Sequence, residues 1–373
     1  FFLSCIKIVL LIETILMNKK PIILGIESSC DETAASIISE NKDGTPIILS
    51  NIISSQENVH KEFGGVVPEL AARSHIEKID LIVEKAIKVS GKKISDIDAI
   101  ASTAGPGLIV CLSVGLSFGK TLALTLNKPF IAVNHLEGHA LSPRLNSSLD
   151  YPYLLLLISG GHSQYLSVQG LGKYKRLGTT IDDALGEAFD KTAKILGVDF
   201  PGGPQIEVLA LKGNPIRYEL PKPIFYKGGC NLSFAGLKTA VLRISKNLKN
   251  DQDVYDLAAS FQKTVQDILY KKTRIAFEQF ENSNKKKLNK FVVAGGVAAN
   301  KKIREILINL CQEKDVSPIF PSKELCGDNA AMIAMVGLEK FKLKKFSNLD
   351  HKAIPRWQLD ENASYMKGAG VKL

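Results

Sequence analysis

Residues 153–170, YLLLLISGGHSQYLSVQG, consist of two apolar runs separated by a polar, glycine-containing turn. Short apolar runs bounded by turn residues predict buried β-strands. Residues 21–38, PIILGIESSCDETAASII, repeat this order of strand, polar turn and strand, and ILSNIISSQ follows as a third strand. This weak internal repeat predicts that the chain forms two related lobes.

Helical patterns follow each copy of the repeat. They cover residues 68–90 and 112–127 after the first copy, and residues 182–197 and 256–280 after the second. Two later stretches, FVVAGGVAAN and LCGDNAAMIAMVGLEKF, predict a strand with a glycine-rich turn and a helix that begins near Asp328. Strands that alternate with helices predict an α/β architecture.

We expect an N-terminal lobe over residues 17–150 and a C-terminal lobe over residues 151–326. The segment at about 327–373 is predicted to pack back on the N-terminal lobe, with a cleft between the lobes. The polar stretch ENSNKKKLNK, residues 281–290, predicts a loop before a strand and not a domain boundary.

The composition favours an acidic partner and a reducing compartment. The net charge of the 373 residues is +10, which is compatible with nucleic acid as a partner. Each lysine cluster, at 285–287, 301–302 and 340–345, is by itself typical of a solvated helix end. The six cysteines form no CxxC motif, and such scattered thiols predict a cytoplasmic protein.

The first sixteen residues, FFLSCIKIVLLIETIL, are apolar and precede Met17. They are short for a membrane span and no small-residue cleavage site follows, so we predict no membrane association. We interpret them as a non-native upstream extension. The alternative is a targeting leader, which would place the protein in the mitochondrial matrix.

Four polar or glycine-rich turns indicate a nucleotide site. They are ESSCDET (27–33), ISGGHSQ (158–164), PGGPQIE (201–207) and AGGVAAN (294–300). Glycine lets a backbone approach a ligand closely, and its amide can face phosphate oxygens. None of the turns is a Walker A or a GxGxxG motif, so the P-loop and Rossmann classes are excluded.

The stretch VNHLEGHAL, residues 133–141, places His135 and His139 on one face of a helix. A zinc protease would need HExxH, whereas here Glu137 is two residues after the first histidine. The pair alone is compatible with a metal site or with packed histidines. Asp328, in CGDNAAM, is either a helix N-cap or the third ligand of the same metal.

These motifs together resemble the tRNA threonylcarbamoyladenosine transferase family, called TsaD in bacteria and once described as glycoproteases. The matching stretches run in family order from Gly25 to Met332. They are GIESSCDET, GGVVPELAARSH, STAGPGL, NHLEGH, ISGGHSQ, DDALGEAFDK, PGGP, LSFAGLKT, GGVAAN and CGDNAAM. The sequence departs from the family pattern at Glu207, where many relatives have aspartate, and at Ala235, where serine is common.

The resemblance implies a two-lobed fold of the actin, sugar-kinase and heat-shock-chaperone type, with duplicated lobes. It implies that His135, His139 and Asp328 hold one iron or zinc ion. The implied reaction moves a threonylcarbamoyl group from threonylcarbamoyl-AMP to the adenosine beside the anticodon of tRNAs that read ANN codons. The residues implied to bind this adenylate, or an ATP or ADP analogue, are Ile158, Ser159, Gly160, Gly161, His162, Asp190, Gly203, Glu207 and Asn300.

Acyl transfer from a mixed anhydride needs two oriented substrates and stabilisation of the developing oxyanion. A metal would act there as a Lewis acid. Asp190 and Glu207 are predicted to accept hydrogen bonds from ribose hydroxyls. Asp31 and Glu32 are predicted to act as catalytic acids at the cleft end of the first hairpin, or to be plain turn residues.

The resemblance also implies tRNA as a partner. A bacterial member would work with an inactive TsaB-like paralogue, a small TsaE-like ATPase and a separate adenylate-forming enzyme, and a mitochondrial-type member as a homodimer. Three other functions stay open: a metalloprotease, a small-molecule kinase or chaperone-like ATPase, and a non-catalytic scaffold. A scaffold would lack the metal ligands, whereas all three candidates are present.

Overall fold

Two five-stranded mixed sheets form the framework of the computed structural model, which describes residues 20–364. The predicted extension at residues 1–16 lies outside the described residues. The first sheet contains β1 (Ile23–Glu27), β2 (Glu32–Glu40), β3 (Pro46–Ser55), β4 (Ala99–Gly105) and β5 (Phe130–Asn134). The second contains β6 (Tyr153–Ile158), β7 (Ser163–Gly170), β8 (Lys173–Thr179), β9 (Lys290–Ala294) and β10 (Ser317–Ile319).

The two sheets have the same topology. The first has the order β3-β2-β1-β4-β5 and the second the order β8-β7-β6-β9-β10, read from the corresponding edge. In each, the first two strand pairs are antiparallel hairpins and the last two pairs are parallel. The duplicated two-lobed α/β fold predicted from the internal repeat is therefore confirmed.

The helices cover the faces of the sheets. The helices are α1 (Glu57–His60), α2 (Pro68–Val89), α3 (Ile109–Leu126), α4 (His135–Leu141), α5 (Leu185–Ile195), α6 (Gly202–Ala210), α7 (Ala235–Ser245), α8 (Asp251–Asn284), α9 (Lys301–Glu313), α10 (Lys323–Cys326) and α11 (Ala330–Lys342). Helices α2 and α3 bury one face of the first sheet, while α11 packs on its other face. Helices α5 to α9 enclose the main core of the second lobe.

The chain returns to the first sheet at its end. After α11, the amide of Ser347 donates to Phe130 O, and the amide of Ile354 donates to Ala104 O. The glycine at position 25 allows α11 itself to pack closely on β1, because a Cβ there would lie 2.4 Å from Ala330 O. The boundaries predicted for the lobes stay a prediction.

Helix α4 joins the two lobes. It begins directly after β5, and the side chains of Leu136 and Ala140 pack in one buried cluster with Tyr153, Leu155 and other residues of the second sheet. The two histidines of this helix are therefore held by both halves of the fold.

Several element boundaries differ from the sequence prediction. Helix α8 continues to Asn284, so the stretch predicted as a polar loop is helical over its first four residues. Helix α3 begins at Ile109, three residues earlier than predicted, and is apolar and long enough to cross a membrane, although here it packs against the first sheet. Helix α5 begins only at Leu185, because the Asp182 carboxylate accepts the amide of Phe234 instead of entering the helix.

Candidate metal centre and nucleotide site

The candidate site residues gather at the carboxyl ends of the central strands of both sheets. Glu27 ends β1, His135 follows β5, and Ser159 follows β6. Ligands of open α/β sheets bind at this edge. The two sheets therefore direct their functional turns towards one region.

His135, His139 and Asp328 come together in a compact cluster. The Nε2 atoms of His135 and His139 lie 3.4 and 3.1 Å from Oδ1 of Asp328, and one donor atom from each residue lies within 4.8 Å of the others. Ligands at about 2.1 Å from one ion are separated by roughly 3.0–3.4 Å in octahedral or tetrahedral geometry. The two histidine–aspartate separations therefore match a single transition-metal ion with positions left for other ligands. Donor atoms that are up to 4.8 Å apart would have to approach to about 4.2 Å or less to bind the same ion.

Local capping by asparagine aims these side chains. The Oδ1 atom of Asn134 accepts the amide of Leu136 and so starts α4 directly at His135. The N-cap of α11 is Asn329, which accepts the amide of Met332 at 3.0 Å. The N-cap interpretation of Asp328 is therefore wrong, and its carboxylate faces the two histidines.

Glu27 is a residue of this site that the sequence analysis did not identify. Its fully buried carboxylate accepts hydrogen bonds from the amide of Ser29 (2.5 Å) and the hydroxyl of Thr103 (2.6 Å). Its Oε2 atom also lies 3.0 Å from Nδ1 of His135. A carboxylate that accepts the Nδ1 proton of a histidine leaves Nε2 free as a metal ligand. The signal in the sequence was an acid at the end of an otherwise apolar strand.

The charges of the cluster are coupled. Burial lowers the pKa of His135, but Asp328 and Glu27 outweigh it, so this pKa lies well above its usual value. Burial raises the pKa of Asp328, yet the same histidine holds it well below the usual value. A cation bound between these groups would displace the imidazolium proton, so metal affinity should increase with pH.

Glu137, which a metalloprotease would need as its base, faces away from the cluster. Its buried Oε1 atom accepts hydrogen bonds from the amide of Gly172 and the hydroxyl of Tyr174, at 3.0 and 2.9 Å. Its other oxygen pairs with Lys340 at 3.0 Å. This carboxylate is consumed by structural contacts, so the geometry of a metalloprotease is absent from the described part of the chain.

The turn between β6 and β7 adjoins the cluster of His135, His139 and Asp328. His162 closes the turn by accepting the amide of Ser159 at 2.8 Å and donating its own amide to the Ser159 hydroxyl at 3.1 Å. Burial, together with the positive charge of His135 and His139, lowers the pKa of His162 to about 3. The turn is therefore close to the histidine pair, and His162 is neutral at physiological pH.

Asp190, Glu207 and Asn300 are brought to the same end of the second lobe, where each binds a helix start. Oδ1 of Asp190 accepts the amide of Gly202 at 2.8 Å, and Oε1 of Glu207 accepts the amide of Lys301 at 2.8 Å. The Asn300 side chain accepts the amide of Ile303 and donates to Gln262. One oxygen of each acid is thus used by the protein, and the amide of Asn300 is used at both ends.

Several glycines of these turns are not required by the fold. A Cβ added to Gly160, Gly161 or Gly203 would meet no atom within 4 Å, and none of the three has a positive φ. Such glycines leave space above the backbone for a ligand. By contrast, Gly295 is packed against Ile158, with an added Cβ 2.4 Å from its carbonyl oxygen, and so fixes the spacing of two turns.

The comparisons with known proteins agree with this geometry. A profile of the family described as TsaD, tRNA N6-adenosine threonylcarbamoyltransferase, matches residues 47–335. This chain belongs to the TsaD family. It is 76% identical over 357 residues, which are 96% of this chain and 100% of the relative, to a tRNA N6-adenosine threonylcarbamoyltransferase of Pelagibacter ubique. It is 54% identical over 91% of its length to the Rickettsia massiliae protein of the same name, of which 98% is covered.

Among solved structures, HypF of T. kodakarensis superposes with a TM-score of 0.60 at 14% identity, over 90% of this chain and 50% of that chain. This likeness shows the fold alone. The actin-like, sugar-kinase-like and chaperone-like two-lobed architecture is confirmed for this TsaD family member.

Asp31 and Glu32 of this TsaD family member lie at the start of β2, near Asp328. Nε2 of His75, on α2, lies 3.0 Å from the carbonyl of Cys30, and its Nδ1 lies 2.7 Å from the Thr33 hydroxyl. Burial and then the neighbouring charges of Asp328 and Asp31 raise the pKa of Glu32 well above its usual value. The sequence analysis missed His75, which holds this turn from the side of α2.

Proposed function

We propose that this protein transfers the threonylcarbamoyl group of threonylcarbamoyl-AMP to N6 of the adenosine beside the anticodon, in tRNAs that read ANN codons. One observation carries the proposal. The cluster of His135, His139 and Asp328 adjoins the open glycine turn of residues 159–161, in a chain whose relatives are named tRNA N6-adenosine threonylcarbamoyltransferases.

We propose His135, His139 and Asp328 as the ligands of one iron or zinc ion. Two imidazoles and a carboxylate with open positions suit either ion. When bound, the ion would act as a Lewis acid towards an oxygen of the substrate. Glu27 supports this assignment, because it orients His135 from behind.

The adenylate is proposed to lie across the turns of the second lobe. Gly160 and Gly161 are exposed, and their amides are available to phosphate or carbonyl oxygens. Gly203 offers a second open backbone position. Asp190, which accepts the amides of Gly202 and Gly203, and Glu207, which accepts the amide of Lys301, are proposed to accept hydrogen bonds from the ribose as well. Ile158, Ser159, His162 and Asn300 would shape this surface.

In the reaction, N6 of adenosine forms a bond to the carbamoyl carbon while the bond from that carbon to the phosphate oxygen breaks. AMP leaves with the electron pair, and the attacking nitrogen loses one proton. Glu32 is the proposed acceptor of this proton, with Asp31 beside it, because both acids lie at the start of β2 close to Asp328. The backbone amides of the glycine turn would stabilise the developing oxyanion.

Partners are proposed as the resemblance implies them. Ile76 and Leu81 of α2 and Leu124 of α3 are each at least 60% exposed, and exposed apolar side chains of neighbouring helices are typical of a protein interface. A TsaB-like paralogue, or a second copy in a mitochondrial-type homodimer, would cover them, and a TsaE-like ATPase would complete a bacterial assembly. We propose that the protein acts in the cytoplasm.

The proposal is tested by transfer of labelled threonine to unmodified tRNA. The reaction contains ATP, bicarbonate, the adenylate-forming enzyme, the two proposed partners and this protein. We expect label with the wild type and none with His139→Ala. The matched control is His351→Asn, a histidine outside the cleft, which should retain transfer. If the complete mixture transfers no label, the proposed function is wrong.

A further inference from the structure

The positive charge of the chain is concentrated in one segment of the second lobe. Residues 212–249, called the basic segment below, contain eight lysines and arginines and one acid, Glu219. The segment thus carries a formal net +7, compared with +10 for all 373 residues. Two of its lysines, Lys222 and Lys238, pair with Asp267 and Asp183 outside the segment, at 2.7 and 3.1 Å. Among its cations, Arg217 and Lys227 are exposed. Such a concentration exceeds a solvated helix end and indicates a polyanionic partner.

An unusually exposed aromatic ring stands among these cations. Tyr226 is 94% exposed, although tyrosine rings are generally at least half buried. The preceding Phe225 packs inward against the core, with its ring 5.1 Å from the tyrosine ring. The Lys222 ammonium lies 5.4 Å above the ring of Phe225. An exposed ring between lysines is typical of a surface on which a nucleic acid base stacks.

The loop that carries this ring is held from below. The buried ammonium of Lys272, on α8, donates hydrogen bonds to the carbonyls of Lys227 and Gly229 at 2.9 and 3.1 Å. Ile224 has a φ of 47°, a left-handed conformation that a β-branched residue rarely adopts. Strained backbone held by surrounding contacts is typical of pre-organised binding sites. Tyr226 is therefore presented on a fixed support.

The loop is continuous with the nucleotide cleft. Pro223 packs 3.4 Å from the position of a Cβ on Gly236, in the first turn of α7. The same turn is tied to Asp182, which accepts the amide of Phe234 at 2.7 Å. Four residues after Asp182, the amide of Gly186 donates to the Ser159 carbonyl in the glycine turn. The loop and the glycine turn are therefore linked through Asp182 and the residues that follow it.

We propose that the basic segment binds the anticodon arm of the tRNA substrate, with a base stacked on Tyr226 and phosphates at Arg217 and Lys227. This inference rests on the proposed function and adds the surface that positions the tRNA. Phosphate contacts fix the position of the nucleic acid on the protein, while stacking holds an unpaired base irrespective of its sequence.

The test measures binding of unmodified, ANN-reading tRNA by fluorescence anisotropy, using the protein with its partners. We expect Tyr226→Ala to weaken binding by about 5- to 100-fold, while Tyr226→Phe, which keeps the ring, stays within about twofold of the wild type. We expect Lys227→Ala to reduce the slope of log Kd against log salt by about 0.7–0.9. Lys286→Ala, a matched exposed lysine outside the segment, should leave that slope unchanged.

Transfer kinetics separate this inference from the proposed function. The expected result is a higher KM for tRNA with Tyr226→Ala and an unchanged kcat. If the wild type transfers label but Tyr226→Ala and Lys227→Ala bind tRNA normally, the tRNA surface is elsewhere and the inference is wrong. If the variants instead lose a protein partner while tRNA binding persists, the segment is a protein interface, and the inference is wrong. If the wild type transfers no label even with its partners, the proposed function fails first.

Discussion

Replacement of Glu27 by glutamine should weaken metal binding without unfolding the protein. The glutamine keeps the size of the side chain and an acceptor for the amide of Ser29. Its NH₂ group, however, would face Nδ1 of His135, where the carboxylate oxygen now lies at 3.0 Å. Two donors cannot share one hydrogen bond, so the imidazole would carry its proton on Nε2, the atom that faces Asp328.

The expected loss is 10- to 100-fold in metal affinity, or about 1.4–2.8 kcal/mol, as for other carboxylates that orient a metal-bound histidine. The affinity of the metal-free protein for Zn²⁺ is measured by competition with a chelating dye. Unfolding in urea without metal then reports the fold separately. The change of charge is confined to a buried site, so the transition should stay cooperative.

Glu137→Gln is the matched control, since Glu137 is a buried acid within the same helix as both histidines. Its loss would disturb Tyr174 and Lys340, so we expect lower stability and unchanged metal affinity. If Glu27→Gln binds Zn²⁺ as tightly as the wild type, or if both variants lose affinity equally, the orienting role of Glu27 is refuted.

Three other predictions follow from single positions. Gly25→Ala should destabilise the protein by about 3 kcal/mol or more in urea unfolding, because its Cβ would lie 2.4 Å from a backbone oxygen of α11. Unchanged stability would contradict this packing. Gly160→Ala should leave stability unchanged but raise the KM for threonylcarbamoyl-AMP at least roughly tenfold, since its methyl group would occupy only ligand space. A KM equal to that of the wild type would place the adenylate elsewhere. The pKa of His162 is about 3 in the folded state, below its unfolded value, so its neutral form favours folding above about pH 6.5 and this contribution is lost as the pH falls towards 3. When the pH is lowered from about 7 to 5, the unfolding free energy of the wild type should therefore fall by up to about 2 kcal/mol more than that of His162→Asn. An equal fall in both proteins would show that His162 does not resist protonation.

Local patterns in the sequence were sufficient for the fold class and for the positions of the turns. The apolar runs at 153–158 and 23–27 form central strands because they are buried on both faces. Since the carboxyl ends of such strands meet at one edge, the acids, glycines and histidines that follow them were predictable as neighbours. The spacing of His135 and His139 likewise fixed a shared helix face before any tertiary contact was known.

Only the tertiary structure decided which of these groups touch and what else each must do. The contact of Asp328 with His139 spans 189 residues, and that of Glu27 with His135 spans 108. Asp190, Glu207 and Asn300, predicted as ligand-binding residues, each hold a helix start, which depends on where α6 and α9 begin. Sequence periodicity encodes which face of an element is buried, but the partner across a cleft depends on the register and packing of elements far apart in the chain, and no local pattern contains that information.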